Sequence, residues 1–443
     1  MEKNIQETNR ALRDTLSGEE YNVFRATLNL PAARRRARVK ELVAGGDAIT
    51  KDISALAEGL AKSFAPIHRT KGWAVLASTA HLGSLMLEAI SPDAADERSA
   101  VFFRPALAAE PLAILLAMPL EAGATFEAQK ECTDYLLTLL SQGPRSCQKR
   151  LSSLLAEEPL LTAAYQALAR GVAAVCSYPV QASVAEVLFR VWRLWVKKAP
   201  EHARLFADAA PPALCDALQA VDVVSFYDEL RRVLNDLNAA AGAEAGVASF
   251  AGGYVYHAAL QPAIDGADAG ADEGGGGGKG GGVCGEEVCI GSAEWLDVGK
   301  NAFTAYVQLE HGGNYLLTVH YDKAFAVEFA SEGRRRTMAF ACRPGDVSNL
   351  HQFVPRPSKK RGEDPLTARC RLAFVVPGPP SAFEALQRAV QRAKEAYAVV
   401  PDAAVAAAQA AAAVARAAGS GGGNEADDGD AGEEEKEEEE EVS

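Results

Sequence analysis

The residues that most often carry catalysis or bind metals are spread thinly through this chain of 443 residues. None of the seven histidines falls near another histidine, or beside Asp, Glu or Cys, at a spacing typical of a catalytic or metal site. They are at positions 68, 81, 202, 257, 311, 320 and 351. There is also no nucleophile elbow, no HExxH motif and no kinase-like series of motifs. We therefore expect core or solvated histidines, and we expect the protein not to be an enzyme.

The eight cysteines do not follow a zinc-binding pattern. Cys284 and Cys289 form one loose pair beside a glycine run, and Cys342 and Cys370 are single cysteines that could approach each other in the same β module, whereas structural zinc sites usually have two tight pairs. Most of the cysteines have apolar neighbours, which is typical of reduced thiols in a cytosolic or nuclear protein. We expect buried or incidental thiols and no metal.

The glycine tract at residues 264–282, IDGADAGADEGGGGGKGGG, resembles a phosphate-binding loop only in composition. A P-loop needs a preceding apolar strand, a lysine followed by Ser or Thr, and a helix whose N-terminus faces the phosphate. Here Gly follows Lys279 and no helix begins. The tract has the composition of a flexible linker, so we expect no nucleotide and no other cofactor.

The sequence has three short basic clusters: residues 34–40, residues 334–336, and Lys359, Lys360 and Arg361. The first is typical of a solvated helix face. The third lies in PRPSKKRGEDP, where proline favours an extended loop, and it is a candidate nuclear-import motif. We expect no membrane association, because the start of the chain is polar and EPLAILLAMPLEAG is too short and too interrupted by proline to span a bilayer.

The net charge of -14 belongs mainly to one end of the chain. Residues 424–443 contain twelve acidic residues and one lysine, a charge of -11, so the preceding 423 residues carry about -3. A near-neutral body does not favour broad binding to DNA phosphates, and we expect direct DNA binding to be weak or absent. The dense acidic block itself predicts a disordered tail.

Apolar residues recur with the helical period from about residue 5 to residue 237, in blocks separated by Gly, Pro or charged breaks. Several blocks are apolar around more than half of their circumference, as expected for helices between two neighbours in a stack. We predict an armadillo- or HEAT-like helical solenoid. A compact irregular helical bundle is the alternative.

After the glycine tract the period becomes two, in about seven short aromatic and β-branched runs: EVCI, EWLDV, FTAYVQL, NYLLTVH, FAVEFA, TMAFACR and RCRLAFVV. The next segment predicts an amphipathic helix, with Ser381 as N-cap and Glu384 completing a capping box. Antiparallel strands followed by one helix are the element order of a pleckstrin-homology-like β-barrel with a C-terminal helix. An orthogonal sandwich with an unrelated helix is the alternative.

These patterns divide the chain into five predicted segments. They are a helical domain (1–260), a glycine-rich linker (261–285), a pleckstrin-homology-like domain (286–400), an alanine-rich helix (401–419) and the acidic tail (420–443). In the β domain we predict that Trp295, Phe303 and Tyr306 anchor the core, and that Asp297 and Lys300 shape a turn.

Three segments resemble the N-terminal region of the synaptonemal complex protein 2 family, which pairs an armadillo-like domain with a pleckstrin-homology-like domain of the histone-chaperone-middle-domain type. VAEVLFRVWRLW is similar to a late helix of the family with a V-x-E-x-L-x-R core. FYDELRRVLNDLNAAAGAEAGVASFAGGYVYHA is similar to the segment that closes the helical domain. EWLDVGKNAFTAYV resembles the opening of the β module. The matching residues are Val184, Glu186, Leu188, Arg190, Trp295, Asp297, Phe303 and Tyr306.

The resemblance implies a non-enzymatic protein of the meiotic chromosome axis, located in the nucleus on chromosomes. Its expected partners are chromosome-axis, centromere or chromatin proteins, histones among them. An alternative is a histone-chaperone-like binder that uses the β module and the acidic tail, and another is a general protein-interaction scaffold. The sequence does not set the oligomeric state.

Overall fold

The chain begins as a series of helices and continues as an antiparallel β-sheet in a computed structural model of the protein. The structure describes residues 2–44, 50–89, 105–142, 145–221, 226–259, 287–309, 314–321, 323–324, 326–348, 350 and 370–396. The predicted linker, alanine-rich helix and acidic tail lie outside these residues, as does the candidate import motif Lys359, Lys360 and Arg361. The predicted order, helices first and strands second, is confirmed.

Thirteen α-helices that precede the sheet have both ends in the described residues, and residues 105–106 are a further helical stretch. They are α1 (Glu2–Thr15), α2 (Gly18–Leu28), α3 (Ala32–Ala44), α4 (Thr50–Arg69), α5 (Trp73–Ala89), α6 (Ala109–Ala117), α7 (Phe126–Gln142), α8 (Arg145–Glu157), α9 (Pro159–Gly171), α10 (Tyr178–Lys198), α11 (Pro200–Ala207), α12 (Pro212–Ala220) and α13 (Phe226–Ala241). A further helix, α14, occupies residues 380–396 after the last strand.

The thirteen helices surround one buried apolar cluster that extends from Leu12 on α1 to Val247 at the start of the first strand. Helix α5 is apolar on most of its surface and packs against α7. Gly83 permits this close approach, because a methyl group at that position would lie 2.6 Å from the ring of Tyr135. The armadillo- or HEAT-like arrangement of the helices stays a prediction.

Nine strands in the described residues form one antiparallel sheet with the order β6-β7-β9-β2-β3-β4-β5-β8, and β1 pairs with β3. They are β1 (Val247–Ala251), β2 (Tyr254–Ala259), β3 (Val288–Gly299), β4 (Ala302–Gln308), β5 (Asn314–His320), β6 (Ala326–Glu332), β7 (Arg335–Cys342), β8 (Val347–Ser348) and β9 (Cys370–Val375). The described edge strands β6 and β8 do not pair with each other, so the predicted closed barrel is not observed.

The two predicted strands EVCI and EWLDV are one strand, β3, interrupted by a β-bulge. Ala293 pairs with Val307 of β4, and the next paired residue, Leu296, faces Ala305. Glu294 and Trp295 are therefore both opposite Tyr306, and the extra residue bends the strand locally. This bulge determines where Trp295 points.

The sheet also includes residues that we assigned to the helical domain of residues 1–260. Strands β1 and β2 pair one after the other along the same edge of β3, joined by Gly252 and Gly253. Both glycines fit a close backbone approach, since a Cβ at Gly252 would lie 2.6 Å from the carbonyl oxygen of Ala293. The β part thus takes residues from both sides of the predicted linker.

Helix α14 covers the sheet's own core with the predicted apolar face, which buries Phe383, Leu386 and Val390. It begins at residue 380, so Ser381 lies in its first turn and is not the N-cap. Proline at the helix start explains the difference, because proline is well suited to the first helical position.

Candidate functional site

A buried ion pair joins the helical part to the sheet. Arg231 on α13 donates from its two terminal nitrogens to the carboxylate of Asp297 on β3, at 3.0 and 2.6 Å. Asp297 is only 1% exposed, and Ser249 on β1 donates its hydroxyl to the same carboxylate at 2.7 Å. Bidentate pairing of this kind fixes orientation as well as distance. Asp297 therefore holds α13 on the sheet and does not shape the turn that we predicted.

Aromatic rings enclose the guanidinium group of this pair. The guanidinium carbon of Arg231 lies 3.7 Å from the ring centroid of Tyr178, the first residue of α10, and 5.0 Å from that of Trp295. Both distances are within the range of cation–π attraction. The ring of Tyr306 lies 6.4 Å from that of Tyr178 in an edge-to-face arrangement. α10, α13 and the bulge of β3 therefore meet around one arginine.

The electrostatics favour a charged pair. Burial raises the pKa of Asp297 above its ordinary value, while Arg231 and Ser249 act in the opposite direction by stabilising the carboxylate. Burial acts to lower the pKa of Arg231, but the carboxylate of Asp297 outweighs it and raises that pKa. Burial also raises the pKa of Tyr178 to about 12, against the opposing effect of Arg231. At neutral pH a neutral phenol therefore faces a charged guanidinium.

The turn after β3 provides a second attachment between the two parts. The backbone N–H of Lys300 donates to the carbonyl of Cys176 at 2.9 Å, and a Cβ at Gly299 would lie 2.3 Å from the same oxygen. The amide of Asn301 donates to Gln129 on α7 at 3.3 Å. Lys300 thus acts at the junction through its backbone.

Beside the ion pair lies an open cavity of about 780 Å³, which we call the junction cavity. Its walls come from α7, α10, α13, the bulge of β3 and β4, and include Tyr178, Ala182, Tyr227, Arg231, Trp295 and Tyr306. Tyr227 is 66% exposed and Tyr306 is 44% exposed, although both are large aromatic side chains. Tyr227 donates its hydroxyl to Glu186 at 3.1 Å, which orients its ring at the edge of the cavity.

A smaller cavity of about 320 Å³, which we call the basic cavity, adjoins the first and shares Glu186 and Tyr227 with it. The rings of Phe189 on α10 and Phe226 on α13 line it, with centroids 4.9 Å apart. Because they share these residues, the two cavities lie next to each other along α10 and α13, and we call them together the groove.

The structure separates the three predicted core anchors. Phe303 is fully buried and packs against the rings of Phe340 and Phe374. Trp295 is half-buried and Tyr306 is exposed, and both face the junction cavity on the opposite face of the sheet. The physical reason is the strand period of two: Tyr306 is three residues from Phe303, and such residues point to opposite faces.

Two cysteines that the sequence allowed to approach each other in the β domain are neighbours. Cys342 and Cys370 are paired residues on β7 and β9, with their Sγ atoms 3.7 Å apart. No group of three or more His, Cys, Asp or Glu in the described residues could hold a metal ion. No helix in the described part of the chain is long and apolar enough to cross a membrane.

Each of the three segments with the family resemblance contributes residues to the junction cavity, although the segments are far apart in the sequence. VAEVLFRVWRLW lies on α10, FYDELRRVLNDL on α13 and EWLDVGKNAFTAYV on β3 and β4. Arg231 and Asp297 themselves are 66 residues apart. The resemblance therefore includes residues that line this cavity, such as Glu186 and Trp295, and core residues such as Phe303.

No protein-family model matches this chain, and no curated protein matches it either. Among solved structures, one named "Synaptonemal complex protein" is similar, with a TM-score of 0.44 and 13% sequence identity. The similarity covers 81% of this chain and 83% of that chain. At this TM-score and identity, the likeness carries no argument about what this chain does.

Proposed function

We propose that this chain is a non-enzymatic scaffold of the meiotic chromosome axis, in the nucleus, whose junction cavity binds segments of chromosome-axis, centromere or chromatin proteins. The observation that carries the binding role is the exposure of Tyr227 and Tyr306 on one concave surface. Aromatic side chains exposed around a cavity are typical of protein-binding sites, because a ring contributes a large apolar contact and a tyrosine hydroxyl adds a hydrogen bond.

The rigidity of the cavity supports the same role. Arg231 and Asp297 hold two of its walls together, and Tyr178 and Trp295 pack on the guanidinium group. A surface that is already ordered loses less conformational entropy when a partner binds. The meiotic assignment rests on the sequence resemblance, whose three segments each contribute at least one residue to the cavity.

The experiment is localisation of the tagged full-length chain on chromosome spreads from meiotic cells. We expect axial staining, and we expect the double variant Tyr227→Ser/Tyr306→Ser to lose it while remaining folded. Tyr254→Ser is the matched control, because Tyr254 is 59% exposed on β2 and does not line the cavity. Diffuse signal from the parent chain throughout meiotic prophase would contradict the proposal.

A further inference from the structure

The basic cavity has a composition that identifies the chemistry of a partner. We propose that it binds a short acidic peptide segment of a partner protein, with one large apolar side chain in the cavity and carboxylates against its rim. This inference deepens the proposed function and rests on it, since it places the partner in the groove next to the junction cavity.

The floor of the cavity suits one or two apolar side chains. Phe189 and Phe226 contribute their rings, and Leu140 and Leu194 complete the apolar surface. A volume of about 320 Å³ is near the lower limit of ligand sites, which are roughly 300–1,000 Å³. A single phenylalanine or leucine side chain from a peptide would therefore fill much of it, while the peptide backbone stays in the groove.

The rim is positively charged. Arg190, Arg193 and Lys197 line the cavity, and their spacing of three and four residues places them on one face of α10. Glu186 is the acidic residue that lines the same cavity. Three cations against one carboxylate leave an excess of two positive charges around an apolar floor.

Glu186 is already engaged, so it does not neutralise the remaining cations. One of its oxygens accepts from Nε and Nη2 of Arg190 at 2.8 and 2.6 Å, and the other accepts from the hydroxyl of Tyr227. In the described part of the chain, neither Arg193 nor Lys197 has an ion pair with a carboxylate. These two side chains are the ones available to a partner's carboxylates.

Arg193 is positioned for this role by the cavity itself. Its guanidinium carbon lies 5.4 Å from the ring centroid of Phe189, so cation–π attraction holds the charged group over the apolar floor. A carboxylate next to an apolar anchor in a peptide would meet this guanidinium group as the anchor enters. Lysine- and arginine-rich segments, such as histone tails, have the wrong charge for this rim.

The test is fluorescence anisotropy with the full-length chain and three short labelled peptides. The first has a central Phe-Leu pair flanked by Glu and Asp, the second has Ala-Ala in place of Phe-Leu, and the third has Gln and Asn in place of the acids. We expect the first to bind and each of the others to bind more weakly by about tenfold, because each lacks one of the two contributions. Binding of the first should also weaken as salt is raised.

The variant Arg193→Glu/Lys197→Glu should weaken binding of the first peptide by about tenfold or more, because two favourable rim charges become repulsive. Arg392→Glu, on the exposed side of α14, is the matched control and should bind like the parent. Thermal unfolding should show that all variants are folded, and Lys197→Glu alone replaces the double variant if that one is unstable.

Three results would overturn the inference: no binding of the first peptide, equal binding of the neutral peptide, or unchanged binding by the charge-reversed variant. Preferential binding of an oligonucleotide in the same assay would also overturn it, because the rim would then serve a nucleic acid. Localisation of the parent chain separates the two proposals. If peptide binding fails while axial staining of the parent chain persists, only the acidic-peptide inference is lost.

Discussion

Replacing Asp297 by asparagine tests the junction between the helices and the sheet with a minimal change of shape. The substitution removes the negative charge and leaves Arg231 in place, with its side chain only 12% exposed. The loss of one partner from a buried ion pair costs roughly 3–5 kcal/mol, because the other charge stays buried without compensation. Asparagine keeps one acceptor oxygen, so we expect a loss of about 3 kcal/mol in the free energy of unfolding.

The assay is urea unfolding of the full-length chain followed by tryptophan fluorescence, with midpoints compared at equal m-value. Asp14→Asn is the control, because Asp14 forms an exposed pair with Arg10 at 4.0 Å. Such surface pairs contribute little, so this variant should stay within about 0.5 kcal/mol of the parent.

A second variant distinguishes a buried charge from a loss of packing. Arg231→Met/Asp297→Leu removes both charges and should recover at least half of the stability lost in Asp297→Asn, because no ion is then buried alone. If Asp297→Asn changes the free energy of unfolding no more than Asp14→Asn does, the ion pair does not hold the junction and our reasoning is refuted.

Two further predictions concern packing and cysteine chemistry. Gly83→Ala should lower the free energy of unfolding by about 1–3 kcal/mol, because its methyl group would overlap the Tyr135 ring. Gly18→Ala is the control: no atom lies within 4 Å of the added methyl group, so the same urea titration should show no loss. Equal effects of the two substitutions would contradict this explanation. The Sγ atoms of Cys342 and Cys370 lie 3.7 Å apart, and the hydrogen bond between them lowers the pKa of the Cys370 thiol, which favours the thiolate that attacks a disulfide. Oxidised glutathione should take two electrons from this pair, giving a cross-strand disulfide and two molecules of reduced glutathione. Peptide mass spectrometry should detect this disulfide in the parent chain and not in Cys342→Ser. If both thiols can still be alkylated after oxidation and unfolding, the prediction is contradicted.

The helical and β parts could be predicted from the sequence because their hydrophobic periods differ strongly. The strand period of two also argues against the predicted set of core anchors. Phe303 and Tyr306 are three residues apart, so one strand cannot bury both in the same core. Trp295 was harder to place, because its direction depends on a bulge that two residues of β3 form opposite Tyr306. Periodicity alone does not reveal an extra residue of this kind.

The junction itself could not be predicted. Arg231 lies next to the apolar stripe of α13, which contains Leu230 and Leu234, and an arginine in that position is ordinarily solvated. Its partner Asp297 is 66 residues away, beyond the glycine tract, and nothing local links the two. The bound carboxylate becomes recognisable only once the register places Ser249 beside Asp297.

The central claim is that the groove at the junction binds chromosome-axis, centromere or chromatin proteins, and photocrosslinking in meiotic cells tests it most directly. A photoreactive amino acid would be placed at position 227, where the side chain is 66% exposed, and at position 254 as a control of similar exposure. We expect crosslinks from position 227 to such a protein and few from position 254. If the acidic peptide occupies the basic cavity, the crosslinks from position 227 should be lost in the Arg193→Glu/Lys197→Glu variant. Equal crosslinking from both positions, or none from position 227 in cells where the chain is present, would contradict it.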